Sequence, residues 1–167
     1  TRLARGMLDY GLSLLPESTP IRFLDPAIGT GSFYSALMAT CRHRPMDWSR
    51  GFEVDAHYGL PAQKLWQHTP LEITLADFTQ QAPPAHDADR PNLLICNPPY
   101  VRHHHLNGLD KQRLQSAARS AALVELSGLA GLYCYFMALA HPWMSRDGVA
   151  GWLIPSEFMD VNYGRDR

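Results

Sequence analysis

Short apolar runs alternate with helix-spaced stretches along almost the whole chain, and this alternation limits the fold more than any other feature. The runs are Ile21 to Leu24, one closing at Gly51-Phe52-Glu53-Val54-Asp55, Leu71 to Leu75, Asn92 to Cys96, and Val149 to Ile154 before Pro155. Taken together they lack the strict apolar and polar alternation of strands with one wet face, so they read as strands covered on both sides. Between them lie helical candidates. Leu3, Met7, Leu8, Leu12 and Leu15 recur at helical spacing before Pro16, Ser32 opens a stretch running from Phe33 to Cys41, and Leu60, Leu65 and Trp66 fall on a helix started or broken near Pro61. Leu109 to Ser120 reads as an exposed helix, and Gly131 to Ser145, apolar nearly all round, as a buried one. Strands alternating with helices predict an α/β fold, a mostly parallel sheet with helices on both faces. The sequence contains no internal repeat, and the polar, Pro-rich stretch 79–91 is too short to link domains.

Composition narrows the function classes. With 15 Lys and Arg against 16 Asp and Glu the formal charge is -1, which sets aside a strongly basic nucleic-acid module. A chain that is 46% hydrophobic and 19% charged is not of the disordered class. Three widely spaced cysteines, Cys41, Cys96 and Cys134, form neither a disulfide framework nor a zinc knuckle and suit a reducing interior. No apolar stretch reaches the roughly 20 residues of a membrane span and no signal-peptide pattern opens the chain, so a cytoplasmic protein without a membrane partner is expected.

In an open parallel sheet, ligands bind outside the carboxyl ends of the strands. Each unusual segment falls at such an end. After the first strand comes Asp25-Pro26-Ala27-Ile28-Gly29-Thr30-Gly31-Ser32-Phe33, whose glycines let backbone approach a ligand and whose following helix offers free N–H groups. Glu53 ends the second strand 22 residues beyond Gly31, close to the spacing at which an acid meets ribose hydroxyls in nucleotide-binding folds. Asp77 and Phe78 follow the third strand, a carboxylate able to accept from an amino group beside a ring able to cover a base. Asn97-Pro98-Pro99-Tyr100 follows the fourth. Two prolines fix φ and remove two N–H donors, so stiff carbonyls stand beside an amide and an aromatic ring, a set suited to a planar amine.

These motifs resemble those of the S-adenosylmethionine-dependent amino-methyltransferases, above all the adenine-N6 DNA methyltransferases of bacterial restriction-modification systems. Asp-Pro-Ala-x-Gly-x-Gly-x-Phe at 25–33 and Asn-Pro-Pro-Tyr at 97–100 carry the resemblance, and their order is that of the gamma group. Gly148 to Phe158 is similar to the family's fifth strand and following loop. The resemblance covers roughly residues 21–160 and implies a Rossmann-like class I methyltransferase sheet, S-adenosyl-L-methionine as cofactor and a flipped base in double-stranded DNA as substrate. It places Asp25, Ala27, Gly29 and Gly31 at the methionine end of the cofactor, Glu53 on the ribose, Val54 on adenine, Asp77 and Phe78 at the adenine amino group and ring, and Pro99 against the cofactor. Asn97, Pro98 and Tyr100 take the catalytic role on the target base. Thr1 is a candidate remnant of the family's N-terminal Thr-Pro motif, with Arg2 where proline is usual.

Residues 1–167 then read as one catalytic methyltransferase domain, a fragment without the last two strands of the family's seven-stranded sheet and without the recognition domain that would contact DNA. The one basic patch, Arg102, Lys111, Arg113 and Arg119 against Asp110, lies beside the Asn-Pro-Pro-Tyr motif. His103-His104-His105 are consecutive and lack an accompanying acid or cysteine cluster, so no metal is expected. Cys96 reads as core packing, and Trp48, Trp66, Trp143 and Trp152 as core or edge packing. The same motif chemistry also serves ribosomal RNA bases, cytosine N4 and a protein glutamine, whereas a nicotinamide-binding dehydrogenase would want a third glycine where Tyr34 stands.

Overall fold

The computed structural model describes residues 1–41, 43–102 and 105–156. Its frame is a five-stranded parallel sheet in the order β3-β2-β1-β4-β5, built from β1 (Ile21–Asp25), β2 (Met46–Glu53), β3 (Leu71–Leu75), β4 (Leu93–Cys96) and β5 (Val149–Trp152). Strand order reverses between β1 and β4, and such a switch point opens a crevice at the carboxyl ends.

Side-chain alternation along the central strands divides the core into two layers. Ile21, Phe23, Leu93 and Ile95 point to one face, where they pack with α1 (Arg2–Ser13), α2 (Ser32–Thr40) and α3 (Ala56–Trp66). Leu24, Phe52, Leu94 and Cys96 point to the other, against Phe136 and Ala140 of α5 (Leu132–Ala140) and Trp143. A third cluster, with Leu114, Ala118 and Tyr135 fully buried, joins α4 (Gly108–Ala122) to α5. The expected parallel sheet with helices on both faces is therefore present.

Local chemistry explains the boundaries. Thr1 caps α1, its hydroxyl accepting from the Ala4 amide at 3.2 Å, and the Arg44 guanidinium donates to the carbonyls of Leu12, Leu15 and Pro16 at the other end. The buried Asn92 side chain accepts from the Arg22 amide at 2.9 Å and donates to the Pro20 carbonyl at 2.8 Å, which clips the start of β4 to the start of β1. α3 runs unbroken through Pro61 from a start at Asp55, whose carboxylate accepts from the His57 amide. The expected helix over 131–145 ends at Ala140 instead and tightens into a 3₁₀ turn, because Pro142 has no N–H to continue it. Among the described residues no helix is long and apolar enough to cross a membrane.

Candidate functional site at the carboxyl ends of the strands

A cleft of about 1160 Å³ opens over the carboxyl ends of β1 to β4. Asp25, Ala27, Gly29, Glu53, Val54, Asp77, Phe78, Asn97 and Pro99 all line it, so most of the residues singled out in the sequence meet in one cavity. Gly31, Pro98 and Tyr100 are not among its lining.

Asp25 lies at the floor, 1% exposed, with one carboxylate oxygen accepting from the Ala27 amide at 3.2 Å. Burial pushes its pKa up to about 7, the neighbouring Glu53 charge adds to the rise, and bonds from the Ala27 amide and the Cys96 thiol oppose it. Burial likewise pushes the Cys96 thiol well above its ordinary value, which leaves it no nucleophile.

The first loop turns on two left-handed glycines that do different work. Gly29, at φ +56°, has nothing within 4 Å of where a Cβ would stand, so its bare backbone faces open space. Its amide donates to one oxygen of Glu53 at 3.0 Å while the Asp55 amide donates to the other at 2.8 Å. Each Glu53 oxygen thus keeps a lone pair, a spacing of acceptors suited to a pair of adjacent hydroxyls. Gly31, at φ +90°, is buried instead, and a Cβ there would stand 2.3 Å from the Trp66 indole nitrogen, which donates to the Thr30 carbonyl at 3.0 Å. Gly31 therefore serves the close packing of α3 on the loop.

Asp77 caps a 3₁₀ turn, Phe78–Gln80. Its Oδ1 accepts from the Thr79 amide (2.9 Å) and hydroxyl (2.8 Å), and its Oδ2 accepts from the Gln80 side chain (2.8 Å). Phe78 is 2% exposed and packs among Phe52, Phe136 and Trp143 at ring separations of 5.1 to 5.6 Å, so it braces the cleft wall as a core residue. Val54, 73% exposed, lines the same cleft as Phe78. At the end of β4 the Tyr100 hydroxyl lies 2.5 Å from Asn97 Oδ1 and 2.8 Å from the Leu153 carbonyl, which ties the Asn-Pro-Pro-Tyr loop to the exit of β5.

Sequence reasoning missed part of the cavity. Thr1, Leu3 and Ala4 of the first helix line it, as do Asp110, Arg113 and Leu114 of α4 and Phe136 of α5. Thr1 has a signal in its resemblance to the family's N-terminal motif, Asp110 and Arg113 stand out in the sequence only as members of the basic patch, and Leu114 and Phe136 have none. The supposed basic patch is partly spent on internal contacts: Arg113 donates to Thr79, and Arg119 pairs with Glu125 at 2.5 Å. Among the described residues no cluster of three His, Cys, Asp or Glu could hold a metal ion, and His103 and His104 lie outside those residues.

Known proteins are similar to the chain in sequence and in fold. Two type II methyltransferases are each 26% identical to the chain: M.AccI of Acinetobacter calcoaceticus over 143 residues, 85% of the chain, and M.XamI of Xanthomonas campestris pv. amaranthicola over 168 residues, 97% of the chain. The chain spans only 25% and 30% of their lengths. Among solved structures, one from Listeria monocytogenes described as a class I S-adenosylmethionine-dependent methyltransferase superposes with a TM-score of 0.71 over 97% of the chain and 48% of its own, at 15% identity, a likeness of fold. Residues 46–166, well over half of the chain, match the Eco57I restriction-modification methylase model, and the chain belongs to that family.

Proposed function

We propose that this domain transfers a methyl group from S-adenosyl-L-methionine to the exocyclic N6 amine of an adenine flipped out of DNA, within a restriction-modification system. The observation that carries the reading is the convergence of Asn97 and Pro99 with Asp25, Gly29, Glu53 and Asp77 on one cleft, in a chain of this family.

The donor set fits the cofactor. The two spare acceptor positions of Glu53 suit the ribose hydroxyls, and the open backbone at Gly29 leaves room for the chain that joins ribose to amino acid. Asp25 offers a carboxyl for the cofactor's ammonium group, and Asp77 keeps an acceptor for the adenine amine. When bound, S-adenosyl-L-methionine supplies an electrophilic methyl on a sulfonium, which leaves as a neutral thioether. The chain's own residues supply position and polarity. Asn97 Oδ1 and the Pro98 carbonyl each accept one amine N–H, which directs the nitrogen lone pair toward the methyl, and the second proton leaves to solvent after the bond forms. Tyr100 presents a ring on which the flipped base stacks. Its single hydroxyl hydrogen has two acceptors in reach, Asn97 Oδ1 and the Leu153 carbonyl, and by turning to Leu153 it leaves Asn97 Oδ1 to the incoming amine.

The test is tritiated methyl transfer by the intact protein to unmethylated bacterial DNA, with the product nucleoside identified by mass. Asn97→Ala is expected to keep cofactor binding and to lose about 10²-fold or more of N6-methyladenine formation. Full activity in that variant, or label found only in cytosine, RNA or protein, overturns the reading.

A further inference from the structure

The helix after the Asn-Pro-Pro-Tyr loop reaches back across the cleft to the third strand end. Arg113 of α4 donates from one guanidinium nitrogen to the Thr79 carbonyl at 3.2 Å and from another to the Thr79 hydroxyl at 3.1 Å. The second nitrogen also lies 3.7 Å from Asp77 Oδ2. Thr79 is buried, and Arg113 lines the cleft.

These bonds have a direction. A hydroxyl owns one hydrogen. Because Arg113 donates to Thr79 Oγ1, that hydrogen is free to turn to Asp77 Oδ1, where the bond is 2.8 Å long. With the Thr79 amide also on Oδ1, both lone pairs of that oxygen are taken. On Oδ2 the Gln80 amide takes one position, and Arg113 at 3.7 Å contributes charge without a hydrogen bond. One acceptor position remains, on Oδ2, beside the positive charge of Arg113.

We infer that Arg113 is a positioning residue for cofactor recognition: through Thr79 it locks Asp77 so that a single oxygen is presented to the 6-amino group of a bound adenine. The inference rests on the cofactor assignment above. Its second consequence concerns α4, which is held on its other side by Leu114 and Ala118 packed against α5. The adenine subsite and the helix that continues the target-base loop are thereby joined by one side chain.

The test uses two probes that differ only at the amino group, S-adenosylhomocysteine and S-inosylhomocysteine, titrated by calorimetry into the intact protein. Wild type is expected to prefer the 6-amino ligand. Arg113→Ala is expected to weaken S-adenosylhomocysteine about tenfold or more while leaving the inosyl ligand nearly unchanged, so the preference collapses. Thr79→Val keeps the volume and the Asp77 cap on the backbone but removes the hydroxyl, and it should collapse the preference too. Arg113→Lys, which keeps the charge and loses the fork, should fall between. A residue that merely stabilised α4 would weaken both ligands equally, and that result, or an undiminished preference in Arg113→Ala and Thr79→Val, overturns the inference while leaving the cofactor assignment intact. Failure of wild type to bind S-adenosylhomocysteine at all overturns the assignment, and the inference with it.

Discussion

The buried carboxyl of Asp25 is the residue whose ionisation the structure constrains most, and it yields a signed prediction. The climb from an ordinary 3.8 to about 7 corresponds to about 4 kcal/mol, at about 1.4 kcal/mol per pH unit. At 1% exposure there is little solvent to screen that cost. Because the folded state holds the proton more tightly than the unfolded chain, this group's stabilisation is complete below about pH 4. It is lost as pH rises toward 7. Asp25→Asn keeps an oxygen for the Ala27 amide and cannot ionise. In urea denaturation at half-unit steps from pH 4.5 to 8, the stability of wild type relative to Asp25→Asn should fall by up to about 1.4 kcal/mol per pH unit and level off near pH 7. A flat difference, or one rising with pH, would refute the burial argument. The same proton must leave before Asp25 can meet a cation, so S-adenosylmethionine affinity should weaken toward tenfold per unit as pH drops below about 7, and Asp25→Asn should lose that dependence.

Four further outcomes follow from the geometry. Gly31→Ala forces a left-handed alanine into the Trp66 indole and should cost more than about 2 kcal/mol in thermal or urea unfolding. Gly29→Ala meets no atom and should cost only about 1 to 2 kcal/mol for its φ, yet weaken cofactor binding in calorimetry because the methyl projects into open cleft. Glu53→Ala and Asp77→Ala should each reduce cofactor affinity, measured the same way, with circular dichroism unchanged. Tyr100→Ala should weaken binding of a DNA target by about 1 to 3 kcal/mol in a filter or fluorescence assay, whereas Tyr100→Phe keeps the stacking ring and should lose less than tenfold in methyl transfer.

What the chain revealed of its fold followed from covalent limits that local sequence states openly. β1, β4 and β5 are largely apolar runs with proline within three residues of their ends, and the edge strand β3 alternates apolar residues with the exposed Glu72 and Thr74, so all four were legible to within a residue or two at most ends. The start of β2 was not, because Met46-Asp47-Trp48-Ser49-Arg50 carries polar residues that become strand only through parallel pairing with β1 and β3. There Arg50 reaches Glu72 at 3.6 Å on the neighbouring strand, a contact between residues far apart in sequence.

The site was legible to the degree that it depends on where strands end, and illegible where it depends on what crosses over it. Strand ends are local, so Asp25, Gly29, Glu53, Asp77 and Asn97 could be named together before their convergence was seen. Gly31 and Phe78 carry the same motif signals, yet their side of the backbone is decided by partners elsewhere in the chain: Trp66 from α3 fills the space over Gly31, and Phe136 and Trp143 enclose Phe78. Arg113 shows the limit most clearly. Read in its own segment it is one cation in a solvated basic run, and 34 residues separate it from Thr79. The packing of Leu114 and Ala118 against α5 sets the turn of the helix that brings the neighbouring Arg113 to the cleft, with 37% of its side chain still exposed. A cavity assembled at a sheet's switch point therefore has a floor written in motifs and a roof written in tertiary contacts. The specificity of such a cavity is set in part by the roof.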